Sequence, residues 1–271
     1  MQIENSTLPT PASNVDYPAL FRLDGKSYVI LGSGGGIGEH VSRTIVAMGG
    51  RVLCVDINAD AVAAVAGSLG MPFVVANAAT EEGADLVAAR AESEFGTING
   101  YVDVIGQMFG KAVSEYGLED WERDFTVNLS HAFLAARKLV PLVEDGSIVH
   151  VSSVMASHSG LLAPGYGPAK AALEAWVRQL AAAYGPRGVR VNAVAPGLFL
   201  SERYIAKKRC DGDAQALASR PLIDRLGQPH EIAAAIAFLL SPAAGYISGS
   251  TIRVDGGAMT RDSTGLDGLL R

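Results

Sequence analysis

The stretch "YVILGSGGGIGEH" (Tyr28–His40) decides how the rest of the chain is read. Apolar and aromatic residues run into five glycines within seven positions. A strand that enters a glycine turn and leaves as a helix makes a phosphate site. The first N–H groups of the helix are unpaired and carry partial positive charge, and glycine lets the backbone turn sharply and approach a ligand. Spacing then selects the loop type. G-x-G-x-x-G fails, because its third glycine falls on Ile37 or Glu39. The P-loop fails for want of a Lys-Ser or Lys-Thr pair. G-x-x-x-G-x-G fits, with Gly32, Gly36 and Gly38 as its glycines and Ile37 inside the turn; Gly34 and Gly35 are extra to the pattern.

Asp56 closes the next apolar run, 24 residues after Gly32. A carboxylate there accepts hydrogen bonds from the adenosine ribose hydroxyls and repels a 2′-phosphate. No Arg or Lys stands at Ser33, Gly35 or Ile57 to offset that repulsion. NAD is therefore expected over NADP. The plainer alternative is a turn or helix-capping Asp before "INADAVAAVA".

Working outward, short β-branched runs alternate with Ala- and Leu-rich helical segments. Strands are expected at Ser27–Gly32, Arg51–Asp56, Pro72–Asn77, Val102–Gln107, Ser147–Ser153, Val189–Gly197 and Ser250–Gly257. They are almost continuously apolar, as strands buried on both faces are. Helices are expected at Gly38–Met48, Asn58–Leu69, Glu81–Phe95, Trp121–Val140, Tyr166–Tyr184 and His230–Leu240. This repetition predicts an α/β fold: one domain, a doubly wound Rossmann-type parallel sheet of about seven strands with helices on both faces. Residues 1–21, rich in Pro, Ser, Thr and Asn, are read as an N-terminal extension, and 22–271 as the domain. Residues 198–228 exceed an ordinary connection and are read as a substrate lid.

With 271 residues, 49% of them hydrophobic, the chain can bury a sizeable core. A net charge of −6 without a basic block argues against nucleic acid. Cys54 and Cys210 give neither a disulfide framework nor a zinc spacing, so a cytoplasmic setting is expected. The start lacks a basic region followed by an apolar run, and no apolar run approaches the ~20 residues of a membrane span, so neither a signal peptide nor a membrane partner is expected. The five histidines show no metal-ligand spacing, and no metal is expected. His158 is read as a surface-loop residue, with reach to a substrate cavity as the alternative.

Tyr166 and Lys170 are four apart at the start of a helical segment and share a face. Ser153 ends a strand thirteen residues earlier, and Asn128 lies in "FTVNLSHAF" (Phe125–Phe133). With the glycine pattern, "VSS", "YGPAK", "VNAVAPG" and "GYISGSTIRVDGG" in this order, residues Leu23 to Met259 resemble the short-chain dehydrogenase/reductase family.

The resemblance implies hydride transfer between NAD(H) and a secondary alcohol or ketone. Tyr166 would be the general acid/base, its pKa lowered from near ~10 by an adjacent ammonium and the cationic nicotinamide. Lys170 would supply that charge and hold the nicotinamide ribose. Ser153 would orient the substrate oxygen, and Asn128 would hold a water linking Lys170 to solvent. Pro196 and Gly197 would pass beside the nicotinamide, and Ser201 would bind its carboxamide where the family has a Thr. On the adenosine side, Asn77 replaces an Asp, Leu31 a Thr, and Gln107-Met108-Phe109-Gly110 the family's Asn-Asn-Ala-Gly, keeping only Gly110. A homotetramer or homodimer is implied, built through the helices holding Asn128 and Tyr166 and the last strand. The alternatives are an NAD(P)H-dependent ketone or 3-oxoacyl reductase, and a non-catalytic nucleotide-binding sensor or scaffold.

Overall fold

The strands alternate between two apolar layers, and that alternation builds the molecule. The structure is a computed structural model that describes residues 14–158, 163–200 and 221–260. Seven strands form one sheet: β1 (Ser27–Leu31), β2 (Arg51–Asp56), β3 (Phe73–Val75), β4 (Gly100–Asp103), β5 (Ser147–Val151), β6 (Arg190–Pro196) and β7 (Thr251–Val254). Their order is β3-β2-β1-β4-β5-β6-β7, and every pairing is parallel. The helices are α1 (Gly36–Ala47), α2 (Ala59–Leu69), α3 (Glu81–Phe95), α4 (Leu118–Phe125), α5 (His131–Leu139), α6 (Tyr166–Tyr184) and α7 (Pro229–Leu240).

Successive side chains of a strand point to opposite faces. Val29, Leu31, Leu53, Val55, Tyr101, Ile148 and Val191 therefore pack with Val87, Leu139 and Val177 of α3, α5 and α6. Tyr28, Ile30, Val52, Cys54, Val102, Val149 and Val194 pack with Ile45, Val62 and Ile236 of α1, α2 and α7. Each fully buried Val, Leu or Ile contributes about 1.5–3 kcal/mol relative to exposure. This is the doubly wound sheet that the repetition predicts.

Local chemistry sets the ends. Asn58 caps α2 by accepting from Ala61 N at 3.1 Å, and Gly70 closes it in the left-handed region. Thr80 caps α3 by accepting from Gly83 N. Most boundaries fall within two residues of expectation, and the largest differences lie in two elements. β4 runs from Gly100 to Asp103, not from Val102 to Gln107. The Asp103 carboxylate accepts from Ile105 N at 3.1 Å, which turns the chain out of the strand. The helix expected over Trp121–Val140 begins at Leu118 and is broken by a π turn, Thr126–Ser130, between α4 and α5.

Of residues 1–21, those from 14 on are described, and Phe21 stacks on Phe238 of α7 at 6.4 Å. The two ends of the expected lid meet: Leu200 N donates to Gly227 O at 2.8 Å, and Gly227 N to Leu198 O at 3.0 Å. Residues 201–220, Ser201 and Cys210 among them, lie outside the described residues, as do 261–271. Among the described residues no helix is long and apolar enough to cross a membrane.

Candidate active site

Because the strands are parallel, the carboxyl ends of β1, β2, β4, β5 and β6 open onto one edge, where ligands bind in such sheets. The glycine loop leaves β1 there. Gly32 N and Ser33 N both donate to Val55 O, at 2.8 and 2.9 Å, which ties the loop to β2. Gly32 has φ +90° and Gly36 φ +53°. A Cβ on Gly38 would sit 2.1 Å from Gly32 O, so only glycine lets α1 start this close to the turn. Ile37 packs into the layer beneath α1.

Asp56 reaches back into this loop. Its Oδ2 accepts from Gly34 N at 2.8 Å, and its Oδ1 from Asn58 N at 3.0 Å. A Cβ on Gly34 would stand 2.8 Å from Asp56 Cγ and Oδ2 and 3.1 Å from Ala61 Cβ. Gly34, extra to the motif, is thus required by the position of the carboxylate. The cap of α2 is Asn58, which frees Asp56 from that role. Each carboxylate oxygen keeps lone-pair capacity beyond its single bond. The loop, the start of α1 and Asp56 therefore fit a nicotinamide dinucleotide. Asn77, exposed after β3, turns its Oδ1 onto Ala79 N at 3.1 Å.

After β4 the segment Gly106–Gly110 runs along the same edge. The π turn braces its backbone. Asn128, fully buried, accepts from Gln107 N and donates to Gln107 O, both at 2.9 Å, and donates to Asp124 O at 2.9 Å. Its amide is committed to backbone. Phe109 lies under the Arg123 guanidinium at 4.2 Å. π turns recur at functional sites, and this one puts Asn128 where a regular helix would not.

Tyr166 and Lys170 open α6. Lys170 is 2% exposed, and its Nζ donates to Val151 O at 2.8 Å and Ile105 O at 3.3 Å. Burial pulls this ammonium down to about 8, against the raising effect of Asp103. Lys170 Nζ lies 6.0 Å from the Tyr166 ring centroid. Burial pushes the Tyr166 phenol up, and the hydrogen bond with Ser153 opposes it. In the free protein, burial outweighs the lowering expected at Tyr166. Ser153 also accepts from Met155 N at 3.2 Å. Pro196 and Gly197 end β6 at the same edge, with Gly197 N donating to Val254 O at 3.0 Å. The edge thus gathers Gly32, Gly36, Gly38, Asp56, Gly110, Asn128, Ser153, Tyr166, Lys170, Pro196 and Gly197. His158 is exposed beside Ser157.

Sequence reasoning did not single out one group at this edge. His131 and His150 are wholly buried and meet at Asp103, at 3.0 and 3.1 Å. The available signal was His150 and Asp103 standing in apolar strands, where period-two alternation puts both on the α5/α6 side. Among the described residues no group of three His, Cys, Asp or Glu has the arrangement of a metal site.

The family model described as enoyl-(acyl carrier protein) reductase matches residues 32–259. D-threitol dehydrogenase of Mycolicibacterium smegmatis is 34% identical over 261 residues, covering 92% of this chain and 98% of that one. The structure of a 7α-hydroxysteroid dehydrogenase complexed with NADH and 7-oxo glycochenodeoxycholic acid has a TM-score of 0.82 and 31% identity, covering 89% and 96% of the two chains. That of L-sorbose reductase from Gluconobacter frateurii, complexed with NADPH and L-sorbose, has a TM-score of 0.85 and 30% identity, covering 89% and 99%. With the matched span, these identities and the shared sheet, the chain belongs to the short-chain dehydrogenase/reductase family of oxidoreductases.

Proposed function

We propose that this oxidoreductase moves a hydride between NAD(H) and a secondary alcohol or its ketone, with Tyr166 as general acid/base. The observation that carries the reading is the convergence of Ser153, Tyr166 and Lys170 beside the glycine loop. Ile105 links the two halves: its carbonyl receives Lys170 Nζ, and its side chain lies 3.5 Å from where a Cβ on Gly32 would be.

Gly32, Gly36, Ile37 and Gly38 would hold the pyrophosphate, Asp56 the adenosine ribose, and Asn77 and Gly110 the adenine side. Lys170, Pro196, Gly197 and Ser201 would hold the nicotinamide half. When bound, the nicotinamide supplies the hydride acceptor or donor. Ser153 Oγ orients the substrate oxygen, and Tyr166 Oη takes or gives its proton. Lys170 keeps a positive charge next to the phenol and so favours the phenolate. Asn128 fixes the Gln107 backbone beside this group.

NAD is preferred over NADP because Asp56 stands at the ribose position and, among the described residues, makes no ion pair with an Arg or Lys. Of the relatives described above, one is complexed with NADH and one with NADPH. Leu198, Leu222 and Ile223, 44–58% exposed at the ends of the lid, favour a substrate with an apolar body. A homotetramer or homodimer is proposed through α5 and α6. Their outer face shows Phe133 and Trp176, with Leu129 of the π turn beside them, and Trp176 Nε1 has no acceptor among the described residues. Sedimentation of the full chain tests this. Two distant cysteines support the cytoplasm as the proposed location.

The activity test is a panel of secondary alcohols and ketones, including polyols and steroids, assayed with NAD(H) and NADP(H) by nicotinamide absorbance. Turnover with NAD at least tenfold above NADP is expected. Equal turnover with both cofactors would refute the role given to Asp56.

A further inference from the structure

One carboxylate lies in the middle strand of the sheet, two residues before the Ile105 carbonyl that receives Lys170 Nζ. Asp103 is 1% exposed at the end of β4, and in register with His150 of β5. His150 Nδ1 lies 3.1 Å from Asp103 Oδ2, and the far nitrogen of that ring meets Tyr101 Oη at 3.4 Å. His131 of α5 brings its Nε2 to 3.0 Å from the same oxygen, off the line of a directed hydrogen bond. An ion of this kind is costly to bury unless opposite charge surrounds it.

Its connections run to Lys170 along two strands. Asp103 Oδ1 accepts from Ile105 N, and Ile105 O accepts from Lys170 Nζ. His150 holds Oδ2, and the next residue, Val151, gives its carbonyl to Lys170 Nζ. His131 follows Asn128 by three residues, and Asn128 holds Gln107. Both carbonyls that receive Lys170, and Gln107, which Asn128 holds, therefore lie within a few residues of a group that meets Asp103.

The ionisable neighbours from each packed element are Tyr101 and Asp103 of β4, His150 of β5, Asp124 of α4, His131 of α5, and Tyr166 and Glu174 of α6. Glu174 is engaged by Ser152 Oγ at 2.8 Å, and Asp124 by the Tyr116 hydroxyl. Lys170 itself is met by neutral carbonyls. We propose that Asp103 is the counter-ion and positioning residue of Lys170, and that His131 and His150 set how much of its field Lys170 feels. Burial works to raise the Asp103 carboxyl, yet the two imidazoles hold it well below the usual carboxylate range, so it is an anion at working pH. Asp103 is also the group that opposes the burial of Lys170. The proposal rests on the Tyr166–Lys170 reading for its consequence in catalysis, but its test does not use turnover.

The experiment is a ¹³C NMR titration of the lysine side chains in the full-length protein. The chain has six lysines, and the Lys170 signal is assigned as the one lost in Lys170→Arg. Asp103→Asn keeps the shape and removes the charge, so the Lys170 midpoint is expected to fall by about one pH unit or more. His150→Asn keeps a donor for Asp103 but removes an imidazole that shares it, so the midpoint is expected to rise. If Asp103→Asn does not fold, the direction in His150→Asn decides. A midpoint in Asp103→Asn within about 0.2 unit of wild type overturns the proposal. An unmoved or lowered midpoint in His150→Asn does the same when it is the only folded variant. Loss of turnover in Tyr166→Phe beside an unmoved Lys170 midpoint in Asp103→Asn would sink this proposal alone. Retained turnover in Tyr166→Phe would instead sink the acid/base reading.

Discussion

Replacing Gly34 by Ala should separate cofactor affinity from folding. The added Cβ would lie 2.8 Å from Asp56 Cγ and Oδ2. The two nearest atoms belong to the far end of a side chain, so Asp56 can swing aside, and Ala61 Cβ, at 3.1 Å, has only a few tenths of an ångström to give. In doing so it gives up its bond to Gly34 N, now 2.8 Å, and its place facing the ribose hydroxyls. The swing takes the carboxylate toward water, so the stability cost stays below about 1 kcal/mol. Binding loses a hydrogen bond to a charged group, about 1.5–3 kcal/mol. At 1.4 kcal/mol per factor of ten, NAD affinity falls by about 10- to 100-fold. NADP affinity should hold or improve, because its 2′-phosphate no longer faces the charge. Calorimetric titration of both cofactors, with a thermal melt as control, measures all three quantities. If Gly34→Ala bound NAD within about twofold of wild type and still rejected NADP, the assignment of Asp56 to the ribose would be wrong.

Three further outcomes follow from the same geometry. Asn128→Ala leaves Gln107 N, Gln107 O and Asp124 O without partners, so urea unfolding should show a loss of about 2–4 kcal/mol. Gly38→Ala forces a Cβ to 2.1 Å from a backbone oxygen that cannot swing away, so both Tm and NAD affinity should drop, unlike Gly34→Ala. Lys170 titrates near 8 when folded and near 10.4 when unfolded, so the cost of burying its charge is full below pH 8 and is relieved as pH rises toward 10. Relative to Lys170→Met, wild type should therefore gain stability between pH 7 and 10, by about 3 kcal/mol at most, read from urea midpoints at each pH.

Most of the sheet was legible because strands buried on both faces leave unbroken apolar runs; six of the seven expected runs hold a strand, and the run at Val102–Gln107 overlaps β4 only at its end. The boundary at β4 was not, because the residue that ends it acts through its own side chain: Asp103 caps Ile105 N inside a run that still looks apolar. The π turn was hidden for a similar reason, since an extra residue per turn leaves the composition of "FTVNLSHAF" unchanged. Gly34 looked dispensable because its need arises from a residue 22 positions away. His131 and His150 looked scattered because β4, β5 and α5 bring them together only in three dimensions. What carried over best was spacing within one element or across one strand–loop–helix unit, such as Tyr166 to Lys170 and Gly32 to Asp56.

The central claim is that Tyr166 Oη moves the proton of a secondary alcohol while Lys170 sustains its charge. The most direct measurement is single-turnover hydride transfer in Tyr166→Phe, on a substrate identified with the wild-type chain, alongside NAD affinity and Tm. A drop in the chemical step of about 10²- to 10⁴-fold, with affinity and Tm unchanged, is predicted. Hydride transfer at the wild-type rate in that variant would contradict the account.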